Sequence, residues 1–195
     1  MNRDRLLKIF RQTNALLRGH FVLSSGLHSG HYFQCALFLQ HPNYASRVCR
    51  ELAQRLRRYR PHVVVGLAVG GVVLAYEVAR HLKARSIFTE REKDVMKFRR
   101  GFTLRRGERA VIVEDVITTG DSVREVIALC RDAGARVFSI GTIVDRSGGR
   151  AKFGRLPLES LVSLRMESFK PQQCPLCKEG WPLAKPGSRH ETLML

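Results

Sequence analysis

The chain of 195 residues is long enough to bury the core of one α/β domain and leaves little sequence for a second. Hydrophobic residues make up 44% of it, which argues against disorder, and its formal charge is +17. Such a surplus attracts nucleic acids, anionic membranes or small phosphorylated substrates. Because Lys and Arg are spread along the chain, they favour a generally basic surface over a dedicated nucleic-acid arm. A basic proteome or a thermophilic source is the alternative explanation of the charge.

The sequence lacks the features expected of exported and membrane proteins. Its first residues lead into an amphipathic segment without the apolar core of a signal peptide. The longest apolar stretch, 63–75, contains three glycines and is too short to span a bilayer. Five cysteines at irregular spacing do not form a secreted disulfide framework. We therefore expect a cytoplasmic protein with no membrane partner.

The hydrophobic pattern predicts alternating helices and strands. In chain order these are a helix over 3–18 closed by Gly19, short strands around a turn over 20–40, a helix over 43–59, a strand at 63–65, a helix ending at His81, strands at 85–89 and 110–113, a helix over 119–133, and a strand over 137–144. Several strands are unbroken apolar runs, which indicates a parallel sheet covered by helices on both faces. Ligands of such sheets bind at the carboxyl ends of the strands.

The strongest chemical signal lies in the segment 111–122, Val-Ile-Val-Glu-Asp-Val-Ile-Thr-Thr-Gly-Asp-Ser. A buried strand delivers two adjacent acids, Glu114 and Asp115, and a loop rich in hydroxyls and glycine leads into a helix. Backbone N–H groups at a helix N-terminus suit a phosphate monoester. Since carboxylates repel phosphate, the acids require a ligand that also carries hydrogen-bond donors, and a ribose 5-phosphate satisfies both conditions. The alternative is a capped helix with Asp121 and Ser122 on its surface.

This segment resembles the phosphoribosyl diphosphate (PRPP) signature of type I phosphoribosyltransferases. The resemblance implies an α/β fold with a Rossmann-like parallel sheet flanked by helices and a small N-terminal hood. It also implies that Glu114 and Asp115 hold the ribose hydroxyls, partly through Mg²⁺ that PRPP carries rather than through direct protein ligands, and that Asp115 is catalytic. The residues implied to bind PRPP are Glu114, Asp115, Val116, Ile117, Thr118, Thr119, Gly120, Asp121, Ser122, Gly70 and Lys93.

A second segment, 21–34, resembles the hood of the orotate phosphoribosyltransferases through its Ser-Gly, Ser and aromatic pair. The resemblance implies that Tyr32 and Phe33 help enclose the pyrimidine ring, and that Arg146 and Thr118 contact orotate. A guanidinium fork suits the carboxylate of that base. Packing in the core is the alternative for the two aromatic residues, and a structural ion pair is the alternative for Arg146.

The segment 91–109 contains eight basic residues and three acids. A solvated charge run is the usual interpretation of such a pattern. The resemblance instead implies a mobile loop that closes over the active site and brings a catalytic lysine to the diphosphate. Lys93 aligns best with that lysine, and Lys97 is the alternative. The loop 66–71 matches the diphosphate loop, although Val69-Gly70 replaces an aromatic–lysine pair found in many relatives, just as Ser24 replaces a lysine in the hood.

The implied reaction transfers the 5-phosphoribosyl group from PRPP to N1 of orotate, giving orotidine 5′-monophosphate and diphosphate in the de novo synthesis of UMP. The resemblance also implies a homodimer. A transferase for another base, or a non-catalytic RNA-binding regulator on the same fold, are the alternatives. We expect no nucleic-acid partner, because the basic residues are diffuse and no RNA-binding motif is visible.

The resemblance covers most of residues 1–166, with the hood within about 1–40 and the core over about 41–166. Residues 167–195, rich in Pro, Lys and Gly, are predicted to form an irregular C-terminal tail. The tail carries Cys174 and Cys177. Zinc takes four ligands, and this C-x-x-C pair supplies two. His190 or a second subunit could add others, but we favour two ordinary thiols near a turn, with structural zinc as the alternative.

Overall fold

The computed structural model describes residues 3–23, 25–164 and 166–186. Its helices are α1 (Arg3–Gln12), α2 (Ala36–Leu39), α3 (Pro42–Leu56), α4 (Gly70–Leu82), α5 (Asp121–Asp132) and α6 (Pro175–Lys178), with 3₁₀ turns at Arg57–Tyr59 and Pro171–Gln173. Its strands are β1 (Leu16–Val22), β2 (His28–Phe33), β3 (Val63–Leu67), β4 (Arg85–Glu92), β5 (Val95–Phe98), β6 (Arg109–Ile117), β7 (Arg136–Asp145), β8 (Leu158–Ser163) and β9 (Leu183–Ala184). None of the helices in this part of the chain is long and apolar enough to cross a membrane.

The centre of the molecule is a six-stranded sheet in the order β5-β4-β3-β6-β7-β8. All neighbouring strands are parallel except β4 and β5. Side chains of β3 alternate between the two faces: Val64 packs in the core beneath α3 and α4, and Val63 and Val65 pack in the core beneath α5. The predicted parallel sheet covered on both faces is therefore confirmed.

A smaller, three-stranded sheet contains the hood, which we define as β1, β2 and the turn between them. β1 pairs antiparallel with β2 and parallel with β9, so the order is β2-β1-β9. The last of these strands belongs to the tail. Where the sequence predicted irregular structure from residue 167 onward, the chain instead forms a 3₁₀ turn, the short helix α6 and a strand that joins the hood.

The first helix is shorter than its apolar spacing predicted. α1 ends at Gln12, whereas the prediction extended it to residue 18. Asn14 has a φ of 53°, in the left-handed region that a short polar side chain tolerates, and this conformation ends the helix. Leu16 and Leu17 continued the helical pattern only by coincidence, because they open β1.

The basic segment after β4 is an antiparallel hairpin, which we call the basic hairpin (β4 and β5). β4 continues past its predicted end at residue 89 as far as Glu92, and β5 returns beside it. The turn is formed by Lys93 and Asp94, whose φ angles are 46° and 66°. Neither β5 nor the edge strand β8 was predicted.

Candidate active site

A cavity of about 410 Å³ lies between the hood and the carboxyl ends of β6 and β7. It brings together most of the predicted site residues, which come from three separate parts of the chain. These are Tyr32, Phe33, Glu114, Asp115, Val116, Thr118, Thr119, Gly120, Asp121, Ser122 and Arg146. Ile117 is instead fully buried in the hydrophobic core beneath the loop.

The loop 118–122, which we call the phosphate loop, leads from β6 into α5. Gly120 has a φ of 83°, which favours glycine, and a Cβ there would lie 2.8 Å from the ring of Phe153. The turn at Gly120 lets α5 begin at Asp121 with its first N–H groups lacking intrahelical acceptors. Such an arrangement suits an anion.

The carboxylate within the phosphate loop is paired. Asp121 accepts hydrogen bonds from the hydroxyl of Thr119 at 2.7 Å and from Nη1 of Arg124 at 2.7 Å. The guanidinium offsets the negative charge of Asp121, so the acid repels an anion in the loop less strongly.

Glu114 and Asp115, the acid pair, follow the buried residues 110–113 of β6 and line the cavity. Burial and the neighbouring charge of Asp115 raise the pKa of Glu114 to about 8. Burial also raises the pKa of Asp115, although the backbone N–H of Val116, 3.0 Å from Oδ1, and the thiol of Cys35 oppose that rise. Two enclosed carboxyl groups resist ionising together, and hydroxyl donors or a cation would lower the energetic cost of their negative charges. Because Mg²⁺ prefers oxygen ligands, the acid pair fits that ion.

Gly70 places the β3–α4 loop against the acid pair. A Cβ at this position would lie 2.5 Å from Oδ2 of Asp115. Only glycine therefore lets the backbone at position 70 come this close to the carboxylate. The peptide bond between Ala68 and Val69, earlier in the same loop, is cis. The predicted diphosphate loop 66–71 therefore lies beside the predicted ribose-binding acids.

Arg146 follows β7 and is 6% exposed. Its Nη2 donates to the hydroxyl of Ser29 at 3.0 Å, and its Nε has no partner among the described residues. The adjacent Asp145 does not pair with it, because its carboxylate accepts from the backbone N–H groups of Ser147 and Gly149 and from the hydroxyl of Ser163. The structural ion pair considered from the sequence is thus absent from residues 3–23, 25–164 and 166–186.

The two predicted aromatic residues differ in their surroundings. Tyr32 lines the cavity and packs against Phe21, with ring centroids 5.8 Å apart. Phe33 is 4% exposed and meets Phe10 edge-on at 5.5 Å, in the core beneath α1. Phe33 therefore contributes to the core as well as to the cavity wall.

Lys93 and Lys97 both lie on the basic hairpin, outside the residues that line the cavity. Lys97 donates to Glu92 at 2.8 Å, whereas Lys93, at the turn, makes no hydrogen bond or ion pair within the described part of the chain. Arg91 pairs with Glu125 of α5 at 3.1 Å and so ties the hairpin to the helix after the phosphate loop.

Several residues around the cavity were not predicted. Ser29 lies within the hood motif, and its neighbours in that motif are the only signal that could have identified it. Cys35 is fully buried beside Asp115, and no pattern in the sequence marks it. Lys185 and Pro186 line the cavity from the tail, whose return to the hood is a long-range contact. Ser24, which the resemblance aligned with a lysine of many relatives, lies outside the described residues.

Comparisons with known proteins identify the family of the chain. The family model of the phosphoribosyl transferase domain matches residues 38–154. A relative from Caldanaerobacter subterraneus subsp. tengcongensis, named orotate phosphoribosyltransferase, is 53% identical over 97% of this chain and 99% of its own length. A relative of the same name from Thermotoga petrophila is 56% identical over 93% of this chain and 97% of its own. The chain belongs to the orotate phosphoribosyltransferase family.

Solved structures agree with this family assignment. The crystal structure of orotate phosphoribosyltransferase from Aeropyrum pernix covers 82% of this chain and 94% of its own, with a TM-score of 0.70 at 28% identity. An adenine phosphoribosyltransferase from Rhodothermus marinus, 18% identical with a TM-score of 0.66, shares the fold alone. Membership of the orotate phosphoribosyltransferases confirms the predicted fold and makes the chain a transferase of pentosyl groups.

Proposed function

We propose that the cavity transfers the 5-phosphoribosyl group of PRPP to N1 of orotate, forming orotidine 5′-monophosphate and diphosphate in UMP synthesis. The observation that carries this proposal is Arg146, a buried guanidinium at the cavity whose Nε has no partner among the described residues. Uracil and the common purine bases lack a carboxylate to satisfy it, whereas orotate carries one. A phosphate loop and an acid pair complete a site for PRPP.

PRPP would bind with its 5′-phosphate in the phosphate loop and its ribose over the acid pair. The N–H groups before and within the first turn of α5 receive the phosphate, and Glu114 and Asp115 accept from the ribose hydroxyls. Gly70, packed against Asp115, directs the backbone of the 66–71 loop toward the diphosphate. Mg²⁺ brought by PRPP and held near the acid pair would help neutralise the departing diphosphate.

Orotate would bind between the hood and the end of β7. Arg146 receives its carboxylate, Thr118 offers a further polar contact, and Tyr32 with Phe33 encloses the ring. Since orotate is already an anion, its N1 attacks the ribose without a strong base. The chain therefore contributes mainly the alignment of the two reactants and the exclusion of water.

The basic hairpin is proposed as the lid. Lys93, at its turn and without a partner among the described residues, is free to approach the diphosphate, whereas Lys97 is engaged with Glu92. A cation that arrives with the closing lid would stabilise the charge that develops on the leaving group.

We also propose that the enzyme works as a cytoplasmic homodimer. Val69, which immediately precedes α4, and Val73 and Tyr76 within it are 73%, 45% and 63% exposed. Their spacing places them along one side of the helix, where they form an apolar stripe beside the 66–71 loop. A second copy of the chain would cover this stripe, and proximity to the loop would connect the interface to the site.

Assays with several bases test the proposal. Purified enzyme with PRPP and Mg²⁺ is supplied with orotate, uracil, adenine, hypoxanthine or xanthine, and the loss of base absorbance is followed. We expect turnover of orotate alone. In Arg146→Ala the catalytic efficiency kcat/KM for orotate should fall by about 100-fold or more, because a hydrogen-bonded charge pair is lost. Arg155→Ala, an exposed arginine outside the cavity, should stay within about 2-fold of the wild type.

Other outcomes would overturn parts of this assignment. Preferential turnover of another base would refute the orotate specificity while retaining the PRPP site. Absence of turnover with every base, together with tight RNA binding at moderate salt, would favour the regulator on the same fold.

A further inference from the structure

Two histidines and two cysteines from distant parts of the chain meet where the tail returns to the hood. His20 lies on β1, His28 begins β2, Cys174 immediately precedes α6, and Cys177 lies within α6. One potential ligand atom from each lies within 4.8 Å of the other three. We call these four residues the His–Cys cluster. It lies on the hood and the tail, apart from the residues that line the cavity.

The distances within the His–Cys cluster approach those of a tetrahedral metal site. Nε2 of His20 lies 3.4 Å from Sγ of Cys174 and 3.6 Å from Sγ of Cys177, and Nδ1 of His28 lies 3.3 Å from Sγ of Cys177. Bond lengths of about 2.0–2.1 Å to nitrogen and 2.3 Å to sulfur place the ligand atoms of tetrahedral zinc roughly 3.3–3.8 Å apart. The two nitrogens, 2.9 Å apart, would separate by about 0.4 Å to fit that geometry.

A backbone carbonyl orients the first histidine toward the cluster. Nδ1 of His20 lies 3.0 Å from the carbonyl oxygen of Trp181. Because this oxygen can only accept, Nδ1 carries the proton, and Nε2 presents a lone pair to the other three residues. Metal-bound histidines ordinarily have such a partner on their second nitrogen.

Burial gives a further reason to expect a ligand. His20, His28 and Cys174 are 3%, 6% and 0% exposed, and only Cys177 is reached by solvent. Thiols form weak hydrogen bonds, so they compensate poorly for the water that the imidazoles lose on burial. A cation bound by two thiolates and two neutral imidazoles would satisfy all four groups and leave no net charge.

We propose that His20, His28, Cys174 and Cys177 form a tetrahedral zinc site that fastens the C-terminal tail to the hood. Two imidazoles and two thiolates form a common structural set for zinc. The sequence revealed only the C-x-x-C half of this site, and the second half lies about 150 residues earlier in the chain. His190, considered earlier as a ligand, lies outside the described residues.

The zinc site would act on the cavity through the tail. The segment after Cys177 continues into β9, which pairs with β1, and then into Lys185 and Pro186, which line the cavity. His20 itself lies opposite Leu183 in that pairing. Loss of zinc should therefore loosen one wall of the cavity. Any effect of this loosening on turnover rests on the proposed function, whereas the metal content of the protein does not.

Elemental analysis tests the site directly. Wild-type protein, purified without chelators, should hold about one zinc per chain. Cys177 is exposed, so its replacement does not disturb the core. Cys177→Ser should lose most of the zinc. Cys130→Ala, which removes a buried cysteine from α5 outside the cluster, should keep it. Circular dichroism should confirm that all three proteins are folded.

Cobalt substitution provides a second readout that does not depend on activity. After metal removal, Co²⁺ should give wild type and Cys130→Ala the visible absorption of a tetrahedral thiolate site, and it should give Cys177→Ser a weakened spectrum. Amide exchange over 171–184 should be faster in the metal-free wild type. Wild-type protein with less than about 0.1 zinc per chain and no cobalt spectrum would overturn the proposal, and so would a Cys174–Cys177 disulfide in the purified protein.

Discussion

The hydroxyl of Ser29 accepts a hydrogen bond from Nη2 of Arg146 at 3.0 Å, across 117 residues of sequence. The same hydroxyl donates to the carbonyl oxygen of Glu167 at 3.1 Å and accepts weakly from the backbone N–H of His31. One fully buried hydroxyl thus connects the hood, the end of β7 and the tail. Ser29 holds the guanidinium in place, and Nε of Arg146, which has no partner among the described residues, remains for the proposed orotate.

Ser29→Ala should weaken orotate binding without impairing the PRPP site. We expect the KM for orotate to rise by about 10-fold, because a hydrogen bond to a charged group is lost, while kcat and the KM for PRPP stay within about 2-fold. Steady-state kinetics with each substrate varied in turn measure this split. Ser25→Ala, on the exposed turn of the hood, is the matched control. An equal fall in kcat/KM for both substrates would instead indicate a general disturbance of the hood.

Gly70→Ala should damage the PRPP site selectively. The added methyl group would meet Oδ2 of Asp115 at 2.5 Å and displace that carboxylate. We expect the KM for PRPP to rise by about 10-fold or more, with a smaller change in the KM for orotate. Thermal unfolding should confirm that α4 remains folded. An unchanged KM for PRPP would mean that the position of Asp115 matters little to the ribose.

Lys93 and Lys97 should differ sharply when each is replaced by alanine. Lys93→Ala is expected to lower kcat by about 100-fold, because it removes a cation that would stabilise the negative charge developing on the departing diphosphate. Lys97→Ala should cost less than about 5-fold, because its amine pairs with Glu92 on the surface. Single-turnover kinetics at saturating PRPP make the comparison. The reverse order of effects would assign the lid lysine to Lys97.

Glu114→Gln should become more stabilising as pH rises. The pKa of Glu114 is raised from 4.5 to about 8, so the folded protein binds this proton more tightly than the unfolded chain. Its stabilising contribution is complete below pH 4.5 and is lost as pH rises to about 8. Glutamine does not ionise, so the variant's advantage in Tm should grow across that window by at least about 2 °C and then level off.

Parallel thermal unfolding of Asp132→Asn provides the control for Glu114→Gln, because Asp132 is an exposed carboxylate on α5. Its difference from wild type should stay constant over the same window. A Glu114→Gln difference that is also independent of pH would contradict the raised pKa.

The apolar stripe on α4 should govern association. Val73→Glu is expected to convert a dimer to a monomer in sedimentation experiments, because it places a charge in an interface of apolar side chains. Arg131→Glu, which changes charge at an exposed position on α5, should leave the dimer intact. A monomeric wild type would rule out the proposed homodimer.

Sequence alone predicted the parallel sheet. Buried strands such as Val63–Leu67 are continuous apolar runs, whereas the helices repeat their apolar residues every three to four positions. It also predicted the acid pair and the phosphate loop, whose residues are consecutive. It missed contacts between distant residues, among them Ser29 with Arg146 and His20 with Cys174, since no local pattern encodes them. The first helix was predicted too long because Leu16 and Leu17 fit both periods.

His28 and Ser29 are adjacent on β2, and successive side chains of a strand point to opposite faces. His28 therefore meets the cysteines of the tail, while Ser29 meets Arg146. A mutation that shifts the register of β2 by one residue would exchange these faces and break both contacts together. Selection that preserves either contact therefore also preserves the other. A descendant that lost the His–Cys cluster would need another interaction to fix the register of β2, because that register also places Ser29 against Arg146.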